Sequence, residues 1–156
     1  GGSPVLEAAR AAVQRGIPLP AVTNDLAIAQ VLGASPRIQV HVLGGVLRPG
    51  SSTLTGEGLV ESARAIRADL LLCGAHCVTD GVITETSAEV AAAKRALIGA
   101  AGARLLLVDA SKFRPRVFMQ VAPVTVFQEV LTDTGATDDA LDALRAQGIA
   151  VTRVRP

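Results

Sequence analysis

The stretch Asp69–Glu85, DLLLCGAHCVTDGVITE, constrains the fold of this chain more than any other, because a short apolar run breaks abruptly into a loop carrying nearly every type of polar side chain. Leu70, Leu71 and Leu72 are apolar without alternation, the pattern of a strand covered on both faces in the middle of a parallel sheet. Gly74 ends that strand. In open α/β sheets ligands bind beyond the carboxyl ends of the strands, so His76, Cys77, Thr79, Asp80, Thr84 and Glu85 stand where a site is expected.

The remaining elements follow from caps and periodicity. Ser3 as N-cap, Pro4 at the first helical position, the stripe Leu6, Ala9, Val13 and a terminal Gly16 predict an opening helix. The Gly1-Gly2-Ser3-Pro4 turn before it is glycine-rich, and free amides at a helix start favour phosphate, although a plain linker is the competing reading. A short strand over 17–22 and a helix over 26–32 come next. The alternating strand over 38–43 carries His41, read as a surface histidine. An amphipathic helix over 57–67 leads to the leucine strand. A long helix, opened by Thr86-Ser87-Ala88-Glu89 and closed by Gly102, precedes a second buried strand over 104–108. That strand runs into Asp109-Ala110-Ser111-Lys112-Phe113, which puts an acid and a primary amine at the same sheet edge as the 74–85 loop. A strand over 124–131, a helix over 138–147 and a strand over 149–154 complete the chain. This alternation predicts one α/β domain: three layers, with a mostly parallel sheet between helices on both faces.

Composition excludes several functions. With 156 residues and 49% hydrophobic residues, one domain with a sizeable core is expected. Three Phe and no Trp or Tyr leave no stacking platform for bases or sugar rings. Fifteen basic residues against fourteen acidic ones give a net charge of +1, too balanced for non-specific nucleic-acid binding. Two cysteines four apart and two histidines fit no common zinc spacing, so no metal and no cofactor are expected. No apolar run approaches the roughly 20 residues that span a bilayer, so a cytoplasmic protein without membrane contact is expected.

Taken together, SPVLEAAR (3–10), AVTND (21–25), VLGGVLRPGSSTLTG (42–56), the segment 67–84, Lys94-Arg95 and VDASKF (108–113) resemble the effector-sensing domain of DeoR-type transcriptional repressors, over nearly the whole chain. The resemblance implies a ribose-phosphate isomerase-like fold, a pocket for a phosphorylated sugar or related metabolite, and assembly into a homo-oligomer. It also implies DNA contact only through a winged helix-turn-helix ahead of the sensor. On this basis residues 1–156 form the sensing domain, without its first strand and without the upstream DNA-binding module. By position, Gly2 and Ser3 correspond to a phosphate cradle, Thr23 and Asn24 to the next loop, and Arg48 and Ser51 to the pocket wall. Asp80, Gly81 and Thr84 correspond to the sugar-facing loop, with Lys112 opposite. His76 and Glu85 are further pocket candidates that depart from the family pattern, in which an Asp-Gly pair and a second Thr are usual. Pro4 also departs, and removes one amide from the cradle. Two alternatives stay open: an isomerase-like enzyme using Glu85 or Asp80 as base with Lys112 as electrostatic partner, and a domain serving oligomerisation. Lys94 is expected to be an indifferent residue on the long helix.

Overall fold

A computed structural model describes residues 3–155. In chain order its elements are α1 (Pro4–Gln14), β1 (Leu19–Thr23), α2 (Leu26–Gly33), β2 (Ile38–Val42), β3 (Val46–Leu47), β4 (Leu54–Thr55), α3 (Glu57–Arg64), β5 (Ala68–Cys73), β6 (Cys77–Thr79), β7 (Val82–Glu85), α4 (Ala88–Ala100), β8 (Ala101–Leu107), β9 (Met119–Pro123), β10 (Glu129–Asp133), α5 (Asp138–Arg145) and β11 (Ala150–Val154). Single 3-10 turns follow β8 and β9. The helices begin where side chains satisfy their free amides. Ser3 accepts from Leu6 N at 3.1 Å, Asp25 from Ala27 N at 2.8 Å, Ser87 from Val90 N at 3.1 Å and Thr137 from Ala140 N at 3.2 Å.

Parallel strands need crossover connections, and the helices supply them. A four-stranded parallel sheet runs in the order β11-β10-β8-β5, while β1 and β2 form a separate parallel pair. A three-stranded antiparallel sheet, β6-β7-β9, is built largely from the segment between β5 and α4. The main core gathers Leu106, Val108 and Val130 from the parallel sheet, Ile83 from the antiparallel one, and Leu141 and Leu144 from α5. A second cluster, with Leu54, Leu59, Ala63 and Ala93, packs α3 against α4, and a third, with Ala9, Leu32 and Ile38, packs α1 and α2 on β1–β2. The α/β class and its mostly parallel sheet flanked by helices are therefore as the alternation indicates. No helix among the described residues is long and apolar enough to cross a membrane.

Four local expectations are corrected. Strand β5 pairs only with β8 among the described residues and lies at a sheet edge, with Leu70 51% exposed. Three leucines in a row encode apolarity but not which neighbours arrive. Residues 74–85 are not one loop: after a turn over 74–76, residues 77–85 fold into the β6–β7 hairpin. Gly102 does not cap the long helix, because α4 passes at Ala101 (extended backbone) directly into β8. Finally, 124–131 is a 3-10 turn followed by β10, and β9 lies where the prolines and arginines of RPRVFMQVAP conceal a strand.

The fully buried Leu106, with β5 and β10 on either side, and the half-exposed Leu70 make a direct contrast. Leu106→Ala is expected to lower the unfolding free energy by about 2–5 kcal/mol. Leu70→Ala should cost about 1 kcal/mol or less. Urea denaturation measures both, and equal losses would contradict the edge position of β5.

Candidate functional site

The carboxyl ends of β5 and β8 are organised by an ion pair that joins a strand to a helix. Lys94, on α4, donates from Nζ to Gly74 O and to Glu85 Oε2, both at 2.8 Å. The same carboxylate oxygen accepts from His76 N at 2.7 Å. The two side chains are only 22% and 10% exposed, so the charges largely neutralise each other away from water. One contact thus fixes the end of β7, the 74–76 turn and the register of α4 against both. Lys94 is therefore no indifferent helix residue. The nearby Cys73 thiol is buried, and burial raises its pKa, with Lys94 opposing and Glu85 adding to the shift. It is an inert core thiol.

Arg114 clamps the same turn from the other side. Its Nε and Nη2 donate to His76 O at 3.2 and 2.9 Å, and Nη2 stands 3.0 Å from His76 Nε2. A guanidinium only donates, so Nε2 is the acceptor and the neutral ring carries its proton on Nδ1, a tautomer assigned from this contact. The Arg114 carbonyl accepts from the Thr79 hydroxyl. Burial lowers the His76 pKa first; Arg114, Lys112 and Lys94 lower it further, while Glu85 opposes. Lys112 belongs to the 3-10 turn Ala110–Lys112, which Asp109 caps by accepting from Ser111 N at 2.8 Å. The Asp109 carboxyl is held below the usual range chiefly by the Ser111 hydroxyl, with a smaller contribution from Lys112. The strand-end rim therefore carries three cations, one of them matched by Glu85, around a neutral histidine.

The start of α1 closes this rim. A Cβ placed on Gly74 would lie 3.8 Å from Val5 Cγ2, so the first turn of α1 stands beside the end of β5. The cradle is narrower than the resemblance implies: Leu6 N is taken by Ser3 Oγ, Glu7 N donates to Ser3 O at 3.1 Å, and Pro4 has no N–H. Among the described residues the Val5 amide and the Ser3 hydroxyl proton meet no acceptor. Gly2 lies outside the described residues.

A second group forms at the end of β1. Thr23 Oγ1 accepts from Asp25 N at 3.1 Å, Asn24 Nδ2 donates to Leu54 O at 3.0 Å, and Asp25 Oδ1 accepts from Ser52 Oγ at 2.9 Å. Arg48 and Ser51 are the ends of a type II turn around Pro49-Gly50, closed by Ser51 N to Arg48 O at 3.2 Å with Gly50 at φ 70°. The Arg48 charge acts on Glu89 in the first turn of α4.

Asp80, Gly81 and Thr84 have other duties. Thr79 pairs with Val82, leaving Asp80 and Gly81 as a two-residue turn at φ 52° and 75°, the type I′ geometry that Asp-Gly favours. The Asp80 side chain is 83% exposed and lies 3.9 Å from Arg116. Thr84 is buried and accepts from Val117 N at 3.2 Å where the β7–β9 register shifts. Of the sequence candidates, His76 and Glu85 thus meet at the 74–76 turn, within reach of the Lys112 charge, and Val5 rather than Ser3 brings α1 beside it; Thr23, Asn24, Arg48 and Ser51 form the second group; Asp80, Gly81 and Thr84 build the hairpin. Lys94 and Arg114 were missed, and only the adjacency of Arg114 to the SKF string hinted at the latter. No cluster of three His, Cys, Asp or Glu able to hold a metal occurs among the described residues.

Comparison with known proteins adds relatives to this geometry. The family model of the DeoR C terminal sensor domain matches residues 1–134. The HTH-type transcriptional repressor GlcR of Bacillus subtilis is 27% identical over 128 residues, covering 82% of this chain and 50% of that protein. The HTH-type transcriptional repressor CsqR of Escherichia coli is 28% identical over 113 residues, covering 72% and 43%. The glycerol-3-phosphate regulon repressor of Escherichia coli is 27% identical over 113 residues, covering 72% and 45%. The chain spans about half the length of the curated relatives it matches.

Two outcomes test the rim. Lys94→Met strands a buried carboxylate and is expected to cost roughly 3 kcal/mol, the low end for breaking a buried pair. In Glu85→Gln/Lys94→Met the combined loss should fall short of the summed single losses by about 1 kcal/mol or more, whereas additive losses would show the pair uncoupled. The second outcome concerns pH. His76 holds a proton more weakly when folded, so near and below the ordinary imidazole value of about 6.5 the unfolded chain binds more protons. Stability present above that value is lost as pH falls through it. The urea midpoint should accordingly drop less between about pH 7.5 and 5.5 in His76→Asn than in the parent chain; parallel curves would exclude the histidine as the cause.

Proposed function

Because this chain belongs to the family of DeoR C terminal sensor domains, we propose that it is the effector-binding module of a transcriptional regulator. In this reading it binds a phosphorylated sugar or related metabolite at the strand-end rim, and occupancy of the rim alters operator binding by a longer protein that carries the DNA-binding module. The observation that carries the reading is the convergence of Lys112, Arg114 and the first turn of α1 at the carboxyl ends of β5 and β8. Two cations and a helix start facing one turn favour an oxyanion, and the Ser3 hydroxyl retains a proton to donate. The relatives named as transcriptional repressors support the regulatory role, and the glycerol-3-phosphate regulon repressor supports a phosphorylated metabolite. An isomerase-like reaction is disfavoured by the same geometry. Glu85 is engaged by Lys94 and His76 N, and Asp80 sits on an exposed hairpin tip, so neither is a poised base.

Thermal denaturation with pentose and hexose phosphates, each beside its free sugar, tests the proposal. At about 100 times Kd the binding ester is expected to add roughly 2.7 kcal/mol of stability. Lys112→Ala should raise its Kd roughly 10- to 150-fold, the loss of one charge-assisted hydrogen bond. Equal shifts from a sugar and its phosphate would sink the anion site.

A further inference from the structure

A second cleft of about 560 Å³, which shares Arg114 with the strand-end rim, opens between the β6–β7 hairpin, the 113–116 segment and α5. Its floor is apolar, made by Val78, Ala140, Ala143 and Leu144, and its rim carries Arg114 and Arg116 against the single carboxylate of Asp80. We propose that this cleft binds a small amphipathic anion, a phosphate or carboxylate headgroup carried on a short hydrocarbon body.

Three features select that class. The volume lies within the range of about 300–1,000 Å³ usual for small-molecule sites, and an apolar floor with a few convergent polar groups is their usual lining. The cations are available. Arg116 has Asp80 at 3.9 Å, with side chains 56% and 83% exposed, a pair too long and too wet to hold the guanidinium. Arg114 directs Nε and Nη2 to His76, and its Nη1 makes no hydrogen bond among the described residues. The floor also selects the body of the ligand. Polar groups, Thr79, Asp80 and the Gln147 amide beside Gly81, stand on the hairpin side only, while Val78, Leu144 and the alanines of α5 offer no hydrogen-bond partner, so a body polar all round would be poorly matched there, whereas an alkyl chain on that face would be buried favourably. The cleft therefore prefers a ligand unlike the sugar ester assigned to the strand-end rim.

Isothermal titration of the chain with hexyl phosphate tests the site. Inorganic phosphate, 1-hexanol and glucose 6-phosphate serve as head-only, body-only and strand-rim comparators. Saturable binding of hexyl phosphate is expected, at least about tenfold tighter than either fragment, and weakened about tenfold in Arg116→Ala through the lost charged hydrogen bond. Ala143→Trp, which fills the cleft from the exposed face of α5, should abolish it. Melting of the unliganded variants verifies that they fold, and should Ala143→Trp fail that check, Arg116→Ala carries the test alone. The proposal is overturned by no saturable binding, by affinity no better than that of inorganic phosphate, by affinity unchanged in a folded variant, or by displacement with glucose 6-phosphate, which would place the ligand at the strand-end rim.

Discussion

The buried contact of Lys94 with Glu85 is the constraint on which the strand-end region depends. Moving a carboxylate and an ammonium out of water is costly, and the structure tolerates it because each charge finds more than its partner: Lys94 also meets Gly74 O, and Glu85 also accepts from His76 N. Those extra bonds make the pair an organiser rather than a simple stabiliser. They bind the turn after β5, the end of β7 and the middle of α4 into one unit. Since α4 leads without a loop into β8, the same unit also sets where β8 begins and, through it, where the Asp109–Lys112 turn emerges.

From that frame the electrostatics of the rim follow. The Glu85 carboxylate neutralises Lys94, which leaves Lys112 and Arg114 as the rim charges without a carboxylate partner among the described residues. Arg114 is held by the backbone and ring of His76, and partial burial together with the Arg114 charge lowers the pKa of that ring. In the proposed reading an anion meets donors already oriented there, so binding needs little further ordering. The departures from the family pattern also become intelligible. A glutamate at position 85 supplies the counter-ion for Lys94, and a histidine at 76 supplies the acceptor for Arg114, so both position cations at the strand-end rim.

Much of the architecture was legible in the sequence because it is encoded locally. Ser3, Asp25, Ser87 and Thr137 cap helices through bonds to their own first turns, and the alternation of strand and helix patterns determines the class. What was not legible is what depends on distant partners. Leu70–Leu72 read as a central strand, but the position of β5 at an edge is decided by which strands pair with it. Asp80-Gly81 read as part of a site, while its φ values and the Thr79–Val82 pairing explain it as a hairpin turn. Lys94 and Glu85 are nine residues apart across a strand-to-helix junction, and Arg114 lies 38 residues from His76, spacings that carry no periodic signal.

The most direct test of the strand-end rim as the effector site is amide hydrogen exchange with and without a saturating mixture of pentose and hexose phosphates. Slower exchange is expected at residues 74–77 and 109–114 and at Val5, with the hairpin tip at 79–82 unchanged. Protection confined to the hairpin tip and α5, or no protection anywhere, would contradict it.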